Sequence, residues 1–279
     1  MRTVTSIQEL REARRALPGP VGFVPTMGYL HQGHLALVRR ARAENASVAV
    51  SIFVNPTQFG PTEDFERYPR DPERDAALLR EAGVDLLFMP PPAEMYPPGY
   101  DTWVDVGGVT ARLEGAERPG HFRGVATVVT KLFNLVQPDR AYFGQKDAQQ
   151  LVVIQKLTRD LNLPVEIVPC PTVREPDGLA MSSRNVYLTP EERREALALS
   201  RALREAERLF AAGERDAGVL RDRVRAVIAE GAPRGRIDYV SVADAETLAE
   251  LEWVDRRALV SLAVRFPSAR LIDNTVLEP

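Results

Sequence analysis

Two histidines, His31 and His34, stand at the start of a predicted helix, directly after a short apolar strand predicted over 21–24. The turn between the strand and the helix contains Gly28. Side chains three residues apart in the first turn of a helix are neighbours, and the same turn offers unpaired backbone N–H groups and the positive end of the helix dipole. These features together suit the binding of a polyphosphate.

Metal binding and solvent exposure are the two alternatives for this histidine pair. The chain contains one further histidine, His121, and one cysteine, Cys170. A zinc site would therefore need carboxylates from elsewhere, and no short Cys/His or His-Glu-x-x-His spacing is present. The strand, turn and helix around the pair favour nucleotide binding, and the sequence predicts no resident metal.

A second polar cluster follows a strand predicted over 140–143 and opens another helix. In an open parallel sheet, ligands bind at the carboxyl ends of the strands. Lys146 would neutralise a phosphate there, Asp147 would accept from a ribose hydroxyl, and Gln150 would face the same side one turn later. The alternative is an ordinary surface turn in which Asp147 caps the helix and Lys146 is solvated.

A third cluster contains Ser182, Ser183 and Arg184. Two hydroxyls beside a guanidinium can form a flexible clamp for an anion. The alternative is a linker between domains, which the Pro-Asp-Gly run at 176–178 favours when it is considered alone.

A fourth cluster follows an apolar strand predicted over 47–54 and contains Asn55 and Gln58. Side-chain amides at the end of a buried strand can hydrogen-bond an uncharged substrate or one that carries a carboxylate. Amides are also common in turns, so this cluster has a purely structural alternative.

The composition is that of a soluble globular protein. The 279 residues are 44% hydrophobic and 27% charged, with a formal net charge of −3. This charge gives no electrostatic footprint for nucleic acid, and no apolar run approaches the roughly 20 residues of a membrane-spanning helix. The N-terminus lacks the features of a signal peptide, and a single cysteine cannot form an internal disulfide. We therefore expect a cytoplasmic protein without nucleic-acid or membrane partners.

Apolar strand-like runs alternate with helical segments through the first part of the chain, which is typical of a parallel sheet with covering helices. Asp71 before Pro72 suits the start of one helix and Gly83 its end. We predict a Rossmann-like, doubly wound parallel sheet. The further elements are helices over 35–45, 72–82, 125–136 and 148–161, strands over 84–89 and 165–168, and an irregular connection over 90–99.

After about residue 172 the pattern changes to that of a smaller α+β domain. Thr189 followed by Pro190 and, three residues on, Glu192 predicts a helix start with a capping box. Helices are predicted over 191–212 and 217–230, and strands over 237–242 and 258–264. The domains are placed at 1–173 and 174–279, and the second carries the Met-Ser-Ser-Arg loop.

The four clusters together resemble one family along nearly the whole chain, the pantoate–β-alanine ligases or pantothenate synthetases. The resemblance rests on PTMGYLHQGH, SIFVNPTQF, FGQKDAQQ and VREPDGLAMSSRN, which occur in that order. The family is grouped with nucleotidylyltransferases and class I aminoacyl-tRNA synthetases, whose His-x-Gly-His and Lys-Met-Ser-Lys-Ser segments hold ATP. Here the second segment has neither lysine, so Lys146 and Arg184 are expected to supply the positive charge.

The resemblance assigns roles to individual residues. Gln58 and Gln150 are expected to bind pantoate, and Asn55, Tyr68 and Arg118 to lie near the substrates or a flap over residues 60–70. Among the ATP-site residues, both histidines, Lys146, both serines and Arg184 are expected to be catalytic. The expected ATP site comprises Met27, His31, His34, Gly144, Lys146, Asp147, Met181, Ser182, Ser183 and Arg184.

The resemblance also implies a reaction. Pantoate would attack ATP, brought with Mg²⁺, to give a pantoyl adenylate and pyrophosphate, and β-alanine would then displace AMP to give pantothenate. No tightly bound cofactor and no protein nucleophile are expected, and the assembly would be a homodimer through the N-terminal domain. A cytidylyltransferase and a non-catalytic nucleotide sensor are the rival functions, although neither accounts for Gln58 and Gln150 as well.

Overall fold

A parallel sheet with helices on both faces forms the N-terminal part of the computed structural model, which describes residues 1–61 and 63–279. Its strands are β1 (Arg2–Val4), β2 (Val21–Thr26), β3 (Ser47–Ile52), β4 (Leu86–Phe88), β5 (Arg140–Gly144) and β6 (Glu166–Cys170). Its helices are α1 (Ile7–Arg15), α2 (Gln32–Glu44), α3 (Pro72–Glu81), α4 (Pro92–Met95), α5 (Glu114–Glu117), α6 (His121–Val136) and α7 (Ala148–Asp160). The predicted doubly wound fold is confirmed.

The strand order is β1-β4-β3-β2-β5-β6, with every pairing parallel. From β2 the chain proceeds to β3 and β4 on one side, and β5 and β6 lie on the other. The direction of winding therefore reverses between β2 and β5, where Gly22 pairs with Arg140 and Phe23 with Ala141. A crevice at such a reversal, beyond the carboxyl ends of the strands, is where open α/β sheets bind ligands.

The C-terminal part is a small α+β domain, as predicted. It contains the helices α8 (Pro190–Glu195), α9 (Leu197–Ala211) and α10 (Ala217–Gly231). The strands β7 (Arg236–Asp244), β8 (Ala258–Arg265) and β9 (Arg270–Leu277) form an antiparallel sheet in that order. A separate cluster of buried side chains fills the space between this sheet and α9 and α10. The boundary between residues 173 and 174 stays a prediction.

A buried carboxylate joins the two parts of the molecule. Glu114, in α5, accepts two hydrogen bonds from the guanidinium of Arg270, at 2.7 and 2.8 Å, and one from the Tyr239 hydroxyl at 2.9 Å. Because Glu114 is 6% exposed, removing either partner would leave part of its charge buried without compensation. This cluster therefore fixes the wall of the crevice that the C-terminal sheet provides.

Several predicted elements differ from the observed ones. The sequence prediction missed β1, α1, α5 and β9, and the single helix predicted over 191–212 is two helices, α8 and α9, that meet at Ala196. At this point the helical hydrogen bonding changes to the 3₁₀ pattern, in which the Leu199 N–H donates to the Ala196 carbonyl three residues back. The connection over 90–99 contains the short helix α4, and the helices predicted from 35 and 125 begin earlier, at Gln32 and His121.

The predicted caps form as expected. Asp71 accepts from the Arg74 N–H at 3.1 Å, and Thr189 and Glu192 exchange the two hydrogen bonds of a capping box at 3.2 and 2.9 Å. Gly83 follows α3 with φ at +77°. No helix in 1–61 or 63–279 is long and apolar enough to cross a membrane.

Candidate functional site

A cleft of about 210 Å³ opens at the carboxyl ends of β2 and β5, where the winding of the sheet reverses. It brings together nearly all of the residues that the sequence predicted for the site. They are Met27, His31, His34, Asn55, Gln58, Tyr68, Gly144, Lys146, Asp147, Gln150, Met181, Ser182, Ser183 and Arg184. Arg118 lies beside the cleft, in the wall of a smaller cavity that shares Lys146, Asp147 and Gln150 with it.

The two histidines cap the helix that they begin. His31 is the N-cap residue of α2, and its Nδ1 accepts from the Gly33 N–H at 3.1 Å. His34 Nδ1 accepts in turn from the His31 N–H at 3.4 Å, and the ring centroids are 4.1 Å apart. A neutral imidazole whose Nδ1 accepts carries its proton on Nε2. Each ring therefore keeps one N–H donor for a ligand in the cleft.

Both rings are uncharged at neutral pH. Burial, followed by the nearby Lys146 ammonium, lowers the pKa of His31 to about 4. Burial also lowers the pKa of His34 to about 3, with further contributions from His31 and Lys146. The pair can thus hydrogen-bond phosphate oxygens as neutral donors, while the positive charge must come from other residues.

A buried carboxylate that the sequence prediction missed holds the turn before these histidines. Asp75 in α3 accepts from the Tyr29 N–H at 2.6 Å and the Leu30 N–H at 2.8 Å, and it is 1% exposed. Burial raises its pKa above the usual value. The turn also requires Gly28, whose φ of +83° suits glycine. In the sequence, Asp75 lies in a charged stretch that is typical of a solvated helix face, so no local signal identifies it.

The lysine cluster lies on a 3₁₀ turn, Gln145–Asp147, between β5 and α7. Lys146 has a 19% exposed side chain, and its Nζ lies 3.8 Å from Asp147 Oδ1. Asp147 makes no capping hydrogen bond with α7, so the alternative of an ordinary capped surface turn is wrong. Asn274 of β9 donates to the carbonyls of Gln145 at 3.0 Å and Lys146 at 2.8 Å, a contact that the sequence prediction missed.

The Met-Ser-Ser-Arg loop reaches the cleft from the C-terminal side. The Ser183 hydroxyl donates to the Tyr29 carbonyl at 3.2 Å, which ties this loop to the turn before the histidines. Ser182 Oγ accepts from the Arg184 N–H at 3.3 Å and caps a short 3₁₀ helix. The serines thus anchor and shape the loop, as well as lining the cleft.

The charge of Arg184 is matched within the protein in this conformation. Its guanidinium makes two hydrogen bonds with the Asp64 carboxylate, at 2.8 and 2.9 Å. Although burial opposes it, the Asp64 carboxylate raises the pKa of Arg184 further above its ordinary value. The expectation that Arg184 simply supplies positive charge to the site is therefore incomplete, because Asp64 must share this cation with any bound phosphate.

The predicted flap over residues 60–70 lies against the cleft; its residue 62 lies outside the described residues. Glu63 binds Arg118 through two hydrogen bonds of 2.6 and 2.7 Å, next to the Asp64 pair with Arg184. Tyr68 is 5% exposed and packs its ring below the Arg184 guanidinium, 5.5 Å from the ring centroid. Two flap carboxylates therefore engage the two arginines predicted near the substrates.

Amides and apolar side chains form the wall of the cleft away from Lys146. Asn55 Nδ2 donates to Gln58 Oε1 at 3.0 Å and to the Gly124 carbonyl at 3.1 Å, which fixes the Gln58 side chain. Gln58 Nε2 lies 3.2 Å from the Met27 sulfur. Apolar side chains of α6 line the same space, among them Val125, Val128 and Val129. This wall suits a branched apolar acid or alcohol with a polar end.

Three comparisons place the chain among known proteins. A family model described as pantoate-beta-alanine ligase matches residues 1–276. The pantothenate synthetase of Roseiflexus sp. (strain RS-1) is 67% identical over 278 residues, with both chains fully covered. The crystal structure of pantothenate synthetase from Thermus thermophilus is 56% identical, with a TM-score of 0.96 and full coverage of both chains.

A further match is a complex with small molecules. The pantoate-beta-alanine ligase from Francisella tularensis, solved with beta-gamma ATP and beta-alanine, is 33% identical to this chain, with a TM-score of 0.82. The match covers 99% of this chain and 97% of the other.

Proposed function

We propose that this chain, which belongs to the pantoate–β-alanine ligase family, joins pantoate to β-alanine through a pantoyl adenylate. As a member, it is an ATP-using ligase of pantothenate biosynthesis, and the adenylate is the step proposed here. The observation that carries the proposal is the cleft itself, where two neutral N–H donors and one lysine face a wall of amides and apolar side chains. Phosphate and carboxylate can be held side by side in such a cleft.

In the first step a pantoate carboxylate oxygen attacks the α-phosphorus of ATP. The new oxygen–phosphorus bond forms as the bond to the β-phosphate oxygen breaks, and pyrophosphate leaves with that electron pair. Negative charge grows on the phosphate oxygens, and the Nε2–H groups of His31 and His34 and the Lys146 ammonium are the groups placed to stabilise it. Gln58 and Gln150 hold the attacking carboxylate in line, which lowers the entropic cost of the reaction.

In the second step the neutral amine of β-alanine attacks the acyl carbon of the adenylate. The carbon–nitrogen bond forms, the bond from the acyl carbon to the AMP oxygen breaks, and the nitrogen releases its extra proton to solvent. An acyl adenylate is also open to attack by water, so the segment over 60–70 is expected to shield it. The contacts of that segment with Arg118 and Arg184 support this role.

The nucleotide is expected to enter as its Mg²⁺ complex, because a divalent cation offsets the charge of the triphosphate. The part of the chain that the structure describes holds no group of three His, Cys, Asp or Glu side chains arranged for a metal ion. We propose that the ion arrives bound to the nucleotide.

Isotope transfer tests the adenylate directly. Pantoate labelled with ¹⁸O in its carboxylate should pass one labelled oxygen to AMP during complete turnover with ATP and β-alanine. Label in inorganic phosphate, with ADP as the nucleotide product, would instead show an acyl phosphate and overturn the proposed step while leaving the ligase assignment in place. Consumption of CTP in preference to ATP would favour the cytidylyltransferase alternative.

We further propose a homodimer that forms through the N-terminal domain of a cytoplasmic enzyme. Trp103, 37% exposed, lies with Tyr96 and Tyr100 in an aromatic patch of that domain, and two-fold dimers are the commonest assemblies. Sedimentation at micromolar concentration should give twice the chain mass of 31.0 kDa. A mass near that of one chain would contradict the dimer.

A further inference from the structure

The third histidine of the chain, His121, has no role in the mechanism above, yet it lies between two parts of the site. It is the first residue of α6 and is 9% exposed. Its Nδ1 lies 2.9 Å from the Gln58 carbonyl oxygen, and its Nε2 lies 3.1 Å from Arg118 Nη1. One imidazole thus contacts the backbone of a pantoate-site residue and the side chain that binds the flap.

The proton on this ring has one possible position. A guanidinium can only donate, so Nε2 must accept from Arg118, and the Nδ1–H donates to the Gln58 carbonyl. Burial, followed by the charge of Arg118, lowers the pKa of His121 to about 4, so the ring is neutral at physiological pH. Both ring nitrogens are therefore used, in opposite directions.

The surroundings leave the ring and the Gln58 turn little freedom to move apart. The 3₁₀ turn Pro56–Gln58 packs directly on the backbone of α6. A Cβ on Gly124 would lie 2.5 Å from the Thr57 carbonyl oxygen, closer than real Cβ atoms come. The Asn55 amide also bonds the Gly124 carbonyl. The start of α6 therefore acts as the base on which the Gln58 turn stands.

On the other side of the ring, Arg118 contacts the flap directly and the C-terminal domain through Glu114. Its guanidinium binds Glu63 through two hydrogen bonds, and its Nη1 lies 3.8 Å from the Glu114 carboxylate. Glu114 in turn binds Arg270. A correctly oriented Arg118 thus requires acceptors on several sides, and the His121 Nε2 provides one of them.

We infer that His121 is a positioning residue that sets the Gln58 turn with one nitrogen and orients Arg118 toward Glu63 with the other. Formation of the pantoate wall and docking of the flap are thereby linked through one ring. The inference rests on the proposed role of Gln58 in binding pantoate. If His121 only filled space beside Phe122, whose ring centroid is 4.9 Å away, then loss of one polar contact would not affect pantoate binding and flap docking differently from loss of the other.

Two substitutions separate the two contacts. His121→Asn places an amide near the position of Nδ1, so it keeps a donor for the Gln58 carbonyl and loses the acceptor for Arg118. His121→Gln places an amide near the position of Nε2, so it keeps the acceptor and loses the donor. Steady-state kinetics with pantoate and ATP, together with trypsin cleavage after Arg67 and Arg70 in the flap, report the two sides independently.

His121→Gln should raise the KM for pantoate about tenfold, the effect of one lost hydrogen bond, with little change in the KM for ATP or in flap cleavage. His121→Asn should leave the KM for pantoate within about threefold of wild type, increase cleavage in the flap and lower kcat. Asn134→Ala, on the same helix but exposed and bonded to the Thr130 carbonyl away from the site, is the control and should change none of these.

Equal changes in both variants, or no change in either, would overturn the inference. The proposed function would still stand in that case, provided that the wild-type enzyme turns over pantoate. Failure of the wild type to use pantoate would be the separate failure of that function. If neither His121 variant folds, the tautomer of His121 in the wild-type protein tests the two contacts. Long-range ¹H–¹⁵N NMR spectra should show a protonated Nδ1 and an unprotonated Nε2, and the opposite tautomer would contradict the inference.

Discussion

The turns after β2 and β5 lie side by side at the reversal of the sheet, yet they are built in opposite ways. The two histidine rings are fixed within their own segment, because His31 and His34 cap the helix that they begin, while Asp75 and Ser183 hold the turn just before them. The lysine turn makes no side-chain cap and is held by Asn274 from the other domain. The two N–H donors are therefore oriented by hydrogen bonds within one helix end, whereas the position of the charged group depends on the docking of two domains.

This difference divides the work of binding phosphate. Neutral N–H donors give direction without the cost of burying charge, whereas an ammonium gives a strong field with little directional preference. Lys146 also lowers the pKa of both histidines, so the charged turn helps to keep the other turn neutral. The two turns are electrostatically coupled although they share no hydrogen bond within the described residues.

Removal of the charged group should have the largest effect. Lys146→Ala is expected to lower kcat by about a hundredfold or more, since the site loses the cation that faces the growing negative charge. The circular dichroism spectrum and melting temperature should remain close to wild type because Lys146 is not part of a core. Lys156→Ala, which removes a surface lysine paired with Asp160 on α7, is the control. Near-wild-type turnover in a folded Lys146→Ala protein would refute the assignment.

Removal of a neutral donor should cost nearly as much but should be partly reversible by a neutral replacement. His34→Ala is expected to lower kcat about a hundredfold, whereas His34→Gln, whose amide offers an N–H near the position of Nε2, should recover about tenfold of that loss. The comparison of the two variants under saturating ATP is the measurement. If Gln is as inactive as Ala while both proteins are folded, the neutral-donor role of His34 is wrong.

Removing the residue that supports the lysine turn should reduce activity less than removing the lysine itself. Asn274→Ala leaves the Gln145 and Lys146 carbonyls without their donor, so Lys146 should lose its fixed position. We expect a drop of about tenfold in kcat/KM for ATP, and a smaller change in kcat/KM for pantoate. Initial rates over a range of each substrate test this. Equal losses for both substrates would indicate a general loss of folding rather than a local one.

The same contrast explains what the sequence could predict. The histidine turn is encoded in ten consecutive residues, and its strand, turn and helix were predicted together because each signal is local. Asn274 lies 128 residues from Lys146, and Asp64 lies 120 residues from Arg184, so their pairing depends on how the domains meet. Asp75 was missed for a similar reason, since its partners Tyr29 and Leu30 belong to another element.

The fold was predicted best where elements are long and apolar. The three-residue strand β1 is too short for a periodic pattern, although Ser6 and Glu9 form the capping box of α1 and were available as a signal. The division between α8 and α9 falls at Ala196, with no glycine or proline to mark it. Local sequence patterns therefore predict which segments are helices and strands. Short edge strands and breaks within helices depend on tertiary packing, which has no local sequence signal.

The smallest expected effect is the absence of a change in the imidazole NMR resonances with pH. It tests whether the histidines of the turn are neutral. The chain has three histidines, and the pKa values of His31, His34 and His121 are lowered to about 4, 3 and 4. In NMR spectra of the folded protein, no imidazole resonance should titrate between about pH 5.5 and 8, because the ordinary midpoint near 6.5 has moved below this range. Acid-unfolded protein, in which the rings are exposed, provides the reference shifts.

The same lowering gives the sign of the pH dependence of stability. Between about pH 6.5 and 4 the unfolded chain binds protons at these rings that the folded protein does not, so the free energy of unfolding falls as the solution is acidified through this window. A protein with His31→Asn and His34→Gln should show a shallower fall than wild type in urea titrations across the window. A wild-type resonance with a midpoint near 6.5 that the double variant lacks, or equal slopes in the two proteins, would mean that at least one ring of the turn keeps an ordinary pKa and is partly charged near neutral pH. Phosphate binding there would then depend on charge in both turns, and the contrast between them would be lost.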